Sequence, residues 1–270
     1  MKCAVVAILC SSIAGCTLPT PAAVTPQEPV AIAPTAALIA RPGEQMTYKV
    51  GIHNLEVAEL VVSLGQPAKL DGEDVIVVQT HATSAKLLSL VRPVDDILTS
   101  WVDRATGQPV AFKSRELASR NDGDIEESEA RFAPGSFPVR VMRGGQVSDE
   151  QQVVRAVAYD VPSMLTFLRG WDGEPGAQVS VDVMRSVHAW RVNVVIAAFD
   201  NLTTALGDLP VVRYDGDAVR LQRDGTIDPR SKHRAFSIWI TDDADRVPAK
   251  MVAHTDYGDI EVELLGYRAE

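Results

Sequence analysis

WRVNVVI (residues 190–196) places Trp190, Val192, Val194 and Ile196 on one side of an extended chain, with Arg191 and Asn193 on the other. Successive side chains of a strand point to opposite faces, so this segment reads as a strand buried on one side and wet on the other. The same grammar recurs in both directions. TYKVGIH (47–53) sets Tyr48, Val50 and Ile52 against Thr47, Lys49 and His53, and VAELVVSL (57–64) aligns Ala58, Leu60, Val62 and Leu64. DVIVV (74–78), QVSVDV (178–183), FSIWI (236–240) and DIEVELL (259–265) add further strands rich in β-branched residues. Asp-Gly pairs at Asp71-Gly72, Asp122-Gly123, Asp172-Gly173, Asp215-Gly216 and Asp224-Gly225 supply the positive-φ chemistry of tight hairpins. The expectation is a mainly β protein: an antiparallel meander forming a curled sheet, half-barrel or barrel, with one or two short helices packed against it.

The clearer helix is DVPSMLTFLRG (160–170), with Asp160 at the N-cap, Pro162 in the first turn and Gly170 as the stop. Its apolar stripe, Val161, Met164, Leu165 and Leu168, should cover the concave side of the sheet. SAKLLSLV (84–91) is a second helical patch. RFAPGSFPVRVMRGGQVSDEQQ (131–152) reads as loop, because its prolines and glycines oppose a central strand. WVDRATGQPVAFK (101–113) and WITDDADRVPAKM (239–251) echo each other: tryptophan, an acidic turn, then a proline opening a strand.

The N-terminus decides the compartment. Lys2 precedes an uncharged run, CAVVAILCSSIA (3–14), of the length of an export-signal core and too short to span a bilayer. IAGC (13–16) resembles the bacterial lipobox, in which the cysteine is acylated and becomes the first mature residue. Residues 1–15 then form a lipoprotein signal peptide, and Cys16 is the lipidation site. Residues 16–40 form a lipidated Pro/Ala-rich tether with one charge at Glu28, and residues 41–270 a β-rich envelope domain. Extended at about 3 Å per residue, the tether reaches roughly 70 Å. Thr17 stands where the sorting rule for inner-membrane retention has aspartate, which favours the periplasmic face of the outer membrane. Cys3 and Cys10 leave with the leader, so the domain has no disulfide and depends on its core. The formal charge is −10, a field that repels phosphate backbones, so nucleic acid is excluded as a partner. The expected partners are the membrane, through the anchor, and an apolar ligand or an envelope protein.

RPGEQMTYKVGI (41–52), WVDRATGQPVAF (101–112), DVPSMLTFLRGW (160–171) and IWITDDADRVPAKMVAHTDYGDIEVELLGY (238–267) together resemble an exported bacterial family, the domain of unknown function numbered thirty-one oh eight. Thr241 replaces the serine that many members carry before the paired aspartates. The resemblance implies a barrel-like or half-barrel envelope domain similar in outline to the lipoprotein-carrier fold, and no assigned catalytic residue.

Motifs for chemistry are missing. There is no Gly-x-Ser-x-Gly elbow, no His-Glu-x-x-His zinc pair, no Walker lysine loop and no dinucleotide glycine fingerprint. His53, His81, His188, His233 and His254 are scattered. Asp242, Asp243 and Asp245 form an acidic turn that could hold calcium or act as an acid/base pair. The alternative is a hairpin tip whose aspartates bond turn amides while Arg246 offsets the charge. DGDIEESE (122–129) reads as a solvated edge. No metal, cofactor or catalytic residue is assigned, and a non-enzymatic protein is favoured over a hydrolase. Trp101, Trp171, Trp190 and Trp239 are candidates to line a cavity for a lipid or acyl chain. A scaffold lipoprotein with a filled interior is the alternative.

Overall fold

The computed structural model describes residues 38–85, 93–117, 125–154, 157–256 and 258–269. β1 (Gln45–Ile52), β2 (Leu55–Leu70), β3 (Glu73–Ser84), β4 (Asp95–Asp103) and β5 (Pro109–Leu117) follow one another across the sheet. β6 (Ile125–Arg131), β7 (Ser136–Arg143) and β8 (Gln146–Val153) carry it to one edge. The chain then crosses to the opposite edge, where β9 (Val157–Asp160) leads into helix α1 (Val161–Gly170). β10 (Gln178–Arg185), β11 (His188–Thr204), β12 (Gly207–Arg220) and β13 (Arg234–Thr241) return strand by strand. β14 (Pro248–Thr255) and β15 (Gly258–Arg268) complete the path, and β15 lies beside β1. The result is the expected antiparallel meander in a single curled sheet, with β8 and β9 left as unjoined edges. Among the described strand pairs, only β9 with β10 is parallel, because α1 is the crossover between them.

The sheet is rolled. Val179, Val181 and Val183 of β10 face α1 together with Trp190, Val192 and Val194 of β11. Met184 and Ala189, on the reverse face, pack with Phe112, Phe137, Val139 and Val141 of β5 and β7. The β9–β11 edge therefore lies between the helix and an outer wrap. The free β8 edge is blunted by exposed Gln146, Ser148, Asp149 and Gln151.

α1 departs from the expected one-sided stripe. Val161 and Leu165 are only half-buried, whereas Pro162, Ser163, Met164, Thr166, Phe167, Leu168 and Arg169 are buried. The helix is enclosed by the roll, and the hydroxyls of its first turns are bonded locally. Ser163 N donates to Asp160 Oδ1 at 2.9 Å, and Asp160 N donates to Ser163 Oγ at 2.9 Å, a reciprocal cap. Thr166 Oγ1 donates to Ser163 O at 2.8 Å.

Three local readings change. Residues 131–152 are not loop: most of the stretch is the β7–β8 hairpin, turned at Gly144-Gly145 with φ of 53° and 75°. Pro138 is tolerated because the β6 ladder begins only at Val139. Asp215-Gly216 is not a turn but the middle of β12, where Gly216 leaves room for the Phe236 ring. Asp71-Gly72, by contrast, is the tight β2–β3 turn, with φ of 51° and 95°. Asp122-Gly123 and residues 86–91 of the second helical patch lie outside the described residues.

Two outcomes follow. A Cβ at position 216 would run into the Phe236 ring and lie 2.7 Å from the Asn193 carbonyl oxygen. Gly216→Ala should therefore cost about 1–3 kcal/mol in urea denaturation. Burial raises the Asp160 carboxyl from 3.8 to about 6, against the opposing hydrogen bonds from Ser163. The folded state thus holds this proton more tightly than the unfolded chain does. The contribution is fully present below about pH 4 and is lost as pH rises through about 6. Relative to Asp160→Asn, the wild type should lose about 2 kcal/mol between pH 4 and pH 7 in parallel denaturation curves.

Candidate functional site

A densely bonded polar group sits at the C-terminal end of α1, where three segments distant in sequence meet. Arg169 from the helix and Glu44 from the approach to β1 are both sealed from solvent, at 1% and 0% side-chain exposure. Arg169 Nη1 donates to Glu44 Oε2 at 2.9 Å and Nη2 to Glu44 Oε1 at 2.6 Å, a two-pronged pairing of planar groups. Arg169 Nε donates to the Arg246 carbonyl at 3.0 Å, and Nη2 to the Asp245 carbonyl at 2.7 Å.

Arg246 reciprocates from the β13–β14 turn. Its Nε donates to the Arg169 carbonyl at 3.1 Å and its Nη2 to the Trp171 carbonyl at 3.2 Å, so a cation caps the negative end of the helix. Nη2 also donates to the Tyr214 hydroxyl, which in turn donates to the Trp171 carbonyl at 2.8 Å. Burial raises both Tyr214 and, more strongly, Tyr48 above the ordinary phenol value; in each case an arginine charge opposes the shift, Arg246 for Tyr214 and Arg169 for Tyr48. Each charge is answered by a protein group, and both tyrosines stay protonated. The arrangement is suited to latching the helix and not to moving protons.

The acidic turn forms the outer shell of this latch. Asp243 Oδ1 accepts from Thr241 Oγ1 at 2.9 Å, Asp245 N at 2.9 Å and Arg246 N at 3.0 Å. Asp245 pairs with Arg41, while Asp242 is half-exposed and 3.9 Å from Arg246 Nη1. The three carboxylates point to separate partners. Among the described residues, no group of three or more His, Cys, Asp or Glu side chains could hold a metal ion. The histidines are dispersed: His81 meets Asp95, His233 meets Asp217 and His254 meets Asp259, each across a strand pair or turn.

The four tryptophans do not share a lining. Trp171 and Trp190 belong to the cluster around α1, where Phe167 lies 5.9 Å from Trp171 and Trp171 lies 5.7 Å from Tyr214, ring centre to ring centre. Trp101 and Trp239 lie on the outer face, alternating with buried neighbours. Trp101 lines an external groove of about 440 Å³ with Leu70, Lys113, Arg131, Pro138 and Arg140. Cys16 lies outside the described residues.

A family profile described as "Protein of unknown function (DUF3108)" matches residues 45–265. The chain belongs to the DUF3108 family. No curated protein matches it. Solved structures do. The DUF3108 domain is similar to a beta-barrel-like protein of domain of unknown function DUF1849 from Brucella abortus, at 9% identity and a TM-score of 0.56, over 86% of this chain and 99% of that one. That likeness shows the fold. It is also similar to a Bacteroides fragilis protein with a YmcC-like fold, at 8% identity and a TM-score of 0.41, over 87% of this chain and 99% of that one. The hypothetical lipoprotein YmcC from Escherichia coli matches at 8% identity and a TM-score of 0.31, over 84% of this chain and 88% of that one.

Glu44 and Arg169 escaped the sequence reading, although a single charge inside an apolar helix and a glutamate directly before a strand were both visible signals. Removing one partner leaves the other charge buried and unanswered. Glu44→Leu or Arg169→Met alone should cost about 3–5 kcal/mol, and the double variant Glu44→Leu, Arg169→Met clearly less than the sum of the two single losses. A double-mutant cycle in guanidinium measures this.

Proposed function

We propose that this DUF3108 protein is a non-enzymatic, lipid-anchored protein of the outer membrane's periplasmic face, and that its rolled sheet is a rigid body for docking envelope partners. The observation that carries the reading is the placement of α1. A carrier needs vacant apolar space on its concave side, and here Phe167, Leu168 and Trp171 occupy that side, with the helix held by Glu44, Arg169 and Arg246. The lipobox at residues 13–16 and the tether of residues 17–40 support export and anchoring.

The outer groove favours one second reading, a site for a small apolar ligand. Its volume of about 440 Å³ falls in the range typical of ligand pockets. Leu70, Trp101 and Pro138 supply apolar lining, while Arg131 is paired to Asp71 and Arg140 lies between Glu129 and Asp149. A ligand there would meet neutralised ion pairs and an aromatic face.

Fractionation and mass spectrometry test the anchor. The wild-type mature chain should begin at an acylated Cys16 and stay with outer membranes through a salt wash, and Cys16→Ser should release it into the soluble fraction. An unmodified N-terminus would overturn the reading. For docking, crosslinking in whole cells should trap a reproducible protein neighbour, and organic extraction of the purified protein should yield no stoichiometric lipid.

A further inference from the structure

The β11–β12 hairpin outruns its neighbours. β10 reaches only Val195 of β11 and β13 only Val211 of β12, so residues 199–210 form a two-stranded arm with no further strand beside it. The arm carries large apolar side chains into solvent. Phe199 is 53% exposed and Leu206, at the tip, 49% exposed, with Leu202 and Leu209 half-buried as cross-strand partners. Residues 199–210 contain no lysine or arginine, and their two acids are Asp200 and Asp208, the latter accepting from Thr203 Oγ1 at 2.7 Å. Exposed aromatic and aliphatic groups on a projecting hairpin mark a contact surface.

The position of the arm identifies what it meets. Alternating strand directions put the end of β11 and the start of β1 on the same rim of the roll. A short chain of contacts joins them: Arg41 pairs with Asp245, and Asp242 N donates to the Pro210 carbonyl at 2.9 Å. The described chain starts at residue 38, so the segment running back to Cys16 departs from the rim that carries the arm.

We infer that the arm seats Phe199 and Leu206 in the surface of the bilayer that carries the Cys16 anchor, so that the domain lies against the membrane with this rim facing it. The inference rests on the lipid-anchored reading above. A tether of 21 residues between Cys16 and Leu38 keeps the arm at high local concentration near lipid, so a small apolar contact suffices. The open backbone edges need water or headgroups as partners, which limits penetration to the headgroup and acyl boundary, about 5–10 Å deep. Asp200 and Asp208 make a zwitterionic surface the better match than an anionic one.

The test uses the full, lipidated protein in phosphatidylcholine vesicles containing nitroxide-labelled lipid. The mature chain has Cys16 alone among its cysteines, and acylation blocks that thiol, so a fluorophore can be placed at Leu206→Cys or, as a control, at Leu55→Cys. Leu55 is 70% exposed at the start of β2, beside the β1–β2 turn on the opposite rim. The expected result is co-flotation of both proteins with vesicles and quenching at position 206 at least about threefold greater than at position 55. Adding Phe199→Ser should reduce the quenching at 206. Flotation with equal quenching at the two positions overturns the inference and leaves the anchor standing. Failure to float removes the anchor and the inference together. Strong quenching at 206 that Phe199→Ser leaves unchanged assigns insertion to the fluorophore and also overturns it. Protection of position 206 only after addition of an envelope protein fraction, without lipid quenching, makes the arm a protein-binding element and overturns it as well.

Discussion

A carboxylate and a guanidinium can share a dry interior only if nearly every lone pair and N–H they carry is answered by the protein. The Glu44–Arg169 pair imposes that requirement on the whole roll. Arg169 reaches Glu44 across 125 positions of sequence and Arg246 across 77, so the approach to β1, the helix and the β13–β14 turn must all be in place before any one of them is satisfied. The net energy of such a pair is small, because taking two charges out of water offsets most of their attraction. Its effect is to make wrong arrangements expensive. A sheet with two unjoined edges could roll more tightly or more loosely, and the latch selects one curvature by fixing the helix that the sheet wraps.

How much of this was readable depended on range. The strands at 47–53, 190–196 and 259–265 were legible because half-burial writes itself as period two, and 178–183 because its valines alternate, although both of its faces are buried. The helix at 160–170 was legible because its cap uses Asp160, Pro162 and Ser163 in the first turn. The β7–β8 hairpin was not, since Pro134, Pro138 and Gly144-Gly145 masked an alternation of Phe137, Val139 and Val141 that was present in the sequence. Gly216 misled for the opposite reason: Asp-Gly is turn chemistry in isolation, and only the Phe236 ring, brought alongside by β13, explains a glycine there. The latch was illegible as a pairing: Arg169 in an apolar helix and Glu44 before a strand each stand out locally, but nothing local says that they meet across 125 positions of sequence. The acidic turn at Asp242, Asp243 and Asp245 was visible as a cluster, but not that Arg246 beside it turns inward to the helix carbonyls.

The two echoing stretches turn out to be built alike. In β4–β5 the register shifts between Trp101 and Val102, and Val102 then stands opposite Pro109; in β13–β14 it shifts between Trp239 and Ile240, and Ile240 stands opposite Pro248. In each hairpin one aspartate, Asp103 or Asp243, gathers the turn amides. Each is preceded by a long hairpin, β2–β3 or β11–β12, that contains its own register shift. The halves differ in what the turn does: the first stops at the surface, and the second sends Arg246 into the core.

The overlap of the sheet on itself has a bearing on synthesis. Residues 45–153 leave the ribosome first and contain every strand of the outer wrap, yet what they cover, residues 157–196, is made afterwards. Phe112, Phe137, Val139 and Val141 meet Ala130, Phe132 and Val154 early, but Met184, Val187, Ala189 and Leu221 complete their cluster only later, so the leading portion holds one side of an apolar trough open during elongation. A chain laid out in this order suits a life in which it is kept extended until complete and then rolls up in one concerted event.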